Sequence, residues 1–197
     1  MSTRKITVIE SAAVLMPAEN IDTDQIIPAR FLKTTSRDGF GQNLFYDLRY
    51  NAAGESRKEF VLNTEHGHGS ILVAGYNFGC GSSREHAAWA LADHGFGAVV
   101  SSFFADIFRN NALNNGVLPV EVSNEFLFKI FKSQQPVYLK IDLMKKEIEI
   151  PATGEKENFP VSSYKQECLM NGYDDIDYLL SNLDEVEKYE QFRVSAY

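Results

Sequence analysis

The sequence predicts a mixed α/β fold in one domain spanning residues 1–197. Three observations carry this. Apolar, β-branched runs alternate with helical patterns between residues 70 and 133, two further alternating runs face each other across a tight turn, and short helical patterns close the chain. No shift in composition marks a second domain, and 44% hydrophobic residues supply a sizeable core.

Taken in order, KITVI (5–9) reads as a short strand. NIDTDQIIPARFL (20–32) opens on an Asn/Asp-rich turn and runs through Ile26 and Ile27 to Pro28. Residues 34–58 are dense in Gly, Asn, Arg and aromatics, and so long a stretch without periodicity reads as irregular. SILVAGYN (70–77) is a buried strand. REHAAWALADHGFG (84–97) carries Ala87, Ala88, Leu91 and Ala92 at helical spacing and stops at Gly95. GAVVSS (97–102) is a strand, FADIFRNNALNNG (104–116) a helix ending at Gly116, VLPVEV (117–122) a strand and EFLFKIFKS (125–133) a helix. VYLKIDL (137–143) and KEIEIP (146–151) form a hairpin. SSYKQECLMNG, DDIDYLLSN and DEVEKYEQF are helical, and their first-turn acids suit the helix dipole.

Composition excludes several functions. A formal charge of −8 and a pI near 5.0 argue against nucleic acid and against anionic lipid as partners. Two cysteines, Cys80 and Cys168, lie far apart without C-x-x-C spacing, too few for the thiolate set of an iron–sulfur cluster. Neither a secretory leader nor a membrane-length apolar run stands out, so a cytoplasmic protein is expected.

The chemistry concentrates in FGCGSSREHAAWAL (78–91), where a strand meets a helix. Gly79, Cys80 and Gly81 form a turn whose backbone N–H groups, with the helix N-terminus, suit an anion. Ser82 and Glu85 also fit the capping-box spacing S-x-x-E, a reading compatible with the first. A dinucleotide fingerprint fails because Arg84 stands where a glycine is needed, and neither a nucleophile elbow nor a phosphate loop is present. What remains is a serine at a helix start beside Arg84, which can grip a carboxylate through two hydrogen bonds. Helix N–H groups would ease an alkoxide on Ser82, able to take a proton from carbon.

The segment GYNFGCGSSREHAAWAL resembles the swivel-domain signature of the aconitase superfamily, and NIDTDQIIPARFL resembles its second signature. Their spacing, FADIFRNNALNNGVLPVEV and CLMNGYDDIDYLL together resemble the small subunits of bacterial 3-isopropylmalate dehydratases over nearly the whole chain. The resemblance implies a swivelling three-layer β/β/α domain. It implies a heterodimer with a large subunit, acting on a small dicarboxylate: 2-isopropylmalate becomes 3-isopropylmalate by dehydration and rehydration in leucine biosynthesis. The [4Fe–4S] cluster is expected in that large subunit, with no cofactor and no metal site in this chain. Ser82 matches the catalytic base; Ser83 and Arg84 match substrate-binding neighbours. Phe31, Leu32, Lys33 and Thr34 fall where the superfamily places its substrate-selecting loop, with Arg30 presented beside them, and an apolar Phe31–Leu32 pair suits an isopropyl branch. Residues 34–58 are expected to order when partner and substrate arrive. Alternatives are the small subunit of a homoaconitase or methylmalate-type hydro-lyase, and a non-catalytic carboxylate-binding module.

Other polar residues have plainer readings. Cys80 reads as a small turn residue and His86 as packed. Glu65, His66 and His68 form a polar loop, while Asp22 and Asp24 shape the turn that presents Arg30 and Lys33. Asn114 and Asn115 cap a helix end, and the acidic C-terminal helices form solvated surface.

Overall fold

A computed structural model of the chain describes residues 5–33 and 39–195. Among these, seven strands form one mixed sheet: β1 (Val8–Met16), β2 (Ile71–Ala74), β3 (Ala98–Ser101), β4 (Leu118–Glu121), β5 (Tyr138–Asp142), β6 (Glu147–Ile150) and β7 (Glu155–Asn158). The helices are α1 (Thr23–Ile26), α2 (Tyr46–Arg49), α3 (Glu85–His94), α4 (Asp106–Asn114), α5 (Asn124–Lys132), α6 (Ser163–Asn171), α7 (Asp175–Ser181) and α8 (Leu183–Ser195). The sheet order is β4-β3-β2-β1-β5-β6-β7. Among the described residues no helix is long and apolar enough to cross a membrane.

Strand β1 is the axis of this arrangement. Its second half, Ala13–Met16, runs parallel to β2. Its first half, Val8–Ala12, runs antiparallel to β5. The sequence shows the change: Val8, Ile9 and Glu10 alternate exposed and buried, whereas Ala13 to Met16 are all buried. Parallel pairing continues through β3 and β4, antiparallel pairing through β6 and β7.

Alternate residues of the parallel strands serve two cores. Ile71, Val73, Val100 and Val120 join Leu139, Ile141, Ile148 and Ile150, so the antiparallel half curls over the parallel half and faces it. Leu72, Ala74 and Val99 point the other way, against Ala87 and Leu91 of α3 and Phe108 of α4. The result is the β/β/α layering that the family resemblance implies.

Three boundaries differ from expectation. The first strand begins at Val8 and extends to Met16, because neighbours on both edges hold the alanine-rich SAAVLM extended against its helical leaning. Strand β7, EKEN, carries too little apolar signal to be read, and Lys156 ties it to Glu147 and Glu149 of β6. Within 34–58, residues 39–58 carry short helical turns rather than one irregular stretch. Phe40–Asn43 forms a 3-10 turn and Tyr46–Arg49 a helical turn, while Phe40, Leu44 and Phe45 enter the core. Spaced aromatic anchors replace periodicity here. Residues 34–38, Thr34 included, lie outside the described residues.

Candidate active site

The connection from β2 to α3 lies at the C-terminal edge of the parallel strands, where open α/β sheets bind ligands. It is bonded to the loop that follows β1. Gly79 N–H donates to Ile21 O (2.7 Å), Thr23 N–H to Cys80 O (2.9 Å) and Thr23 Oγ1 to Ser82 O (3.0 Å). Asn20 and Asn77 both adopt left-handed backbone, at φ 55° and 62°, and their side chains bond at 2.8 Å. The two signature stretches therefore form one unit.

Gly79 has φ +77°, and a Cβ there would lie 2.1 Å from Cγ of the buried Phe108. Close packing and backbone angle both demand glycine. Asp22 caps α1 in a reciprocal box, accepting from Gln25 N–H at 2.7 Å while its own N–H donates to Gln25 Oε1 at 2.9 Å.

Ser82 and Ser83 are exposed, and neither hydroxyl has a hydrogen-bond partner among the described residues. The capping-box reading of Ser82 does not hold: α3 starts at Glu85, and Arg84 is its N-cap residue without a side-chain cap. Ser82 instead belongs to the turn before the helix, and its carbonyl is what the fold uses. Glu85 accepts from Asn115 Nδ2 at 3.0 Å across to α4.

Arg84 Nη1 donates to Asp24 Oδ1, and the arginine side chain is 19% exposed. The sequence signal for Asp24 was its place in the second signature; its pairing with Arg84 was not legible there. Burial pushes the Cys80 thiol up, with Asp22 adding to the effect, so Cys80 is not an activated nucleophile. His86 packs its ring against Trp89 (4.5 Å between centroids) and Phe40 (5.5 Å).

The other anticipated residues sit apart from this turn's bonding network. Arg30 binds Asp47 with both terminal nitrogens and lies 4.7 Å from the Phe31 ring centroid. That bond holds the Asp47 carboxyl below its ordinary value and raises Arg30. Phe31 and Leu32 are half-buried against the core, and Lys33 is exposed. Among the described residues no group of three or more His, Cys, Asp or Glu side chains is placed to hold a metal.

Comparison with known proteins identifies the family and the fold. Residues 4–125 match the aconitase C-terminal domain family. The chain is 56% identical over 192 residues to the 3-isopropylmalate dehydratase small subunit of Christiangramia forsetii, covering 96% of this chain and 94% of that protein. It is 57% identical over 190 residues to that of Cytophaga hutchinsonii, covering 95% and 94%. A crystal structure of 3-isopropylmalate dehydratase from Methanocaldococcus jannaschii superposes with a TM-score of 0.66 at 30% identity, covering 92% of this chain and 99% of the other.

Proposed function

The chain belongs to the aconitase C-terminal domain family and, within it, to the 3-isopropylmalate dehydratase small subunits, and from that premise we propose that it supplies the base and the carboxylate grip of a hydro-lyase completed by a large subunit. The substrate is 2-isopropylmalate, isomerised to 3-isopropylmalate through the unsaturated diacid, a step of leucine biosynthesis. The chain acts as a single swivel domain over residues 1–197.

The observation that carries this reading is the exposed Ser82 hydroxyl, unpartnered among the described residues, beside an arginine already oriented by Asp24. Ser82 Oγ, as the alkoxide, takes the proton from the carbon next to the departing hydroxyl. The C–H pair becomes the double bond and the hydroxyl leaves. On rehydration the hydroxyl adds to the other carbon and the Ser82 hydroxyl returns the proton. A proton on carbon beside a carboxylate is hard to remove, because charge builds where charge already stands. Arg84 and the N-terminal dipole of α3 favour that charge, and they do so most in the transition state. Ser83 offers a hydroxyl to the substrate carboxylate, while Lys33, Phe31, Leu32 and Thr34 select the side chain, and Arg30, held by Asp47, braces that loop.

The described residues do not fit an iron–sulfur cluster, so we assign it to the large subunit and route no step through it. The testing experiment is turnover of 2-isopropylmalate by this chain, by a cluster-loaded large subunit, and by their mixture under anaerobic conditions. Activity in the mixture alone is expected. An assembled but inactive mixture would overturn the substrate and direct attention to homocitrate-type and methylmalate-type acids.

A further inference from the structure

A second depression lies on the same sheet edge as the Ser82 turn. Its walls come from the segments leaving all four parallel strands: Pro17 after β1, Tyr76 after β2, Ser102 after β3, and Leu127, Phe128 and Phe131 of α5 after β4. The cavity measures about 390 Å³. Around it, Tyr76 (45%), Phe103 (38%) and Phe128 (61%) expose large apolar surface, and the Tyr76 and Phe103 rings stack at 5.3 Å. Single exposed apolar residues are ordinary, but aromatics grouped about a cavity mark a contact surface. The Ser102 hydroxyl, in the cavity wall, is buried without a hydrogen-bond partner among the described residues. Such a group is costly to leave unmatched.

This surface is tied to the catalytic turn. Asn20 N–H donates to Tyr76 O at 2.8 Å and Phe78 N–H to Phe103 O at 3.1 Å. Tyr76 belongs to the same β2–α3 connection as Ser82. A protein that presents substrate to Ser82 must approach this edge, and the backbone bonds just given place these rings beside the turn it approaches.

We propose that the cavity is the anchor pocket for the large subunit. It receives one aromatic or long-stemmed side chain of that partner, while Tyr76, Phe103 and Phe128 pack against the surface around it. This rests on the small-subunit reading above. Buried anchors filling pockets at the centre of an interface carry most of its binding energy.

The experiment is anaerobic titration of the cluster-loaded large subunit with the full chain and with Phe128→Asp and Met144→Asp. Met144 is 68% exposed and lies between β5 and β6, at the opposite end of the sheet. We expect Phe128→Asp to weaken binding at least about 30-fold and Met144→Asp by less than about threefold. Turnover at saturating partner should survive in Phe128→Asp, because the Ser82 turn is untouched. Should Phe128→Asp fail to fold, Tyr76→Ser reads the same loss. Binding within about threefold of the unmodified chain for the pocket variant, or an equal loss from Met144→Asp, overturns the pocket. Failure of the unmodified chain to bind the large subunit would instead overturn the small-subunit reading, and the pocket with it.

Discussion

Arg84 and Asp24 form an ion pair across 60 residues of sequence, joining the turn after β2 to the loop after β1. A guanidinium carries five donors, so the Asp24 bond orients Arg84 and leaves others for a substrate carboxylate. Replacement by lysine keeps the charge and loses the planar fork. Arg84→Lys is expected to lower kcat/KM by about 10²-fold, through kcat more than KM, with partner affinity unchanged. Steady-state kinetics on the assembled enzyme check this.

Ser82→Ala removes an exposed hydroxyl whose backbone carbonyl, not its side chain, holds the fold. Turnover should fall about 10²–10⁴-fold, the usual weight of a general base. Stability should move by no more than about 0.5 kcal/mol. Denaturant melts beside activity assays separate the two effects.

Gly79→Ala should destabilise by about 3 kcal/mol, since the added methyl meets Phe108 and the backbone angle is unfavourable. Trimming Phe108 removes only the first cause. Against Phe108→Ala alone, Gly79→Ala in that background is expected still to lower stability by about 1 kcal/mol, read as the Tm difference between the two variants.

The His94 ring lies 3.2 Å from Gly41 O, at the junction of α3 with the segment after residue 39. Burial pushes His94 below its ordinary value, and the Arg49 charge acts the same way. The unfolded chain then binds the proton more readily than the folded one. Stability is therefore full above about pH 6.5 and declines as pH falls below it, until the folded ring also titrates. The carboxyls held low, Asp47 by Arg30, Asp175 by Lys165 and Glu155 by Lys129, lose their contributions only nearer about pH 4 and below. Tm should drop between about pH 7.5 and 5.5, and His94→Gln should flatten that slope.

Most of the parallel half was legible because its strands are short, apolar and separated by helices that end on glycine. Gly95 closes α3 with left-handed backbone, where the pattern placed the end. The β5–β6 hairpin followed from alternation. What escaped the sequence depends on distant partners. Strand β7 consists of charged residues held by ladder bonds and by Lys156, and neither has a periodic signature. The helix start agreed with the sequence to within a residue, but Ser82 does not cap it: its carbonyl accepts from Thr23 Oγ1, a contact no local rule contains. At the site, Gly79, Ser82 and Arg84 were found as a motif, whereas Asp24 and the paired Asn20 and Asn77 acquire meaning only when the two signatures meet.

The shared strand β1 also sets where this chain can be cut. The stretch matching the aconitase C-terminal domain family stops at residue 125, before β5 begins. A fragment trimmed there would keep every residue of the Ser82 turn. It would also bare the edge of β1 that β5 covers and strip Leu139, Ile141, Ile148 and Ile150 from the core. Open β edges beside exposed apolar faces recruit other chains. A minimal catalytic fragment drawn from the matched boundaries would precipitate, and protein engineering on this scaffold has to carry the hairpin along with the motif.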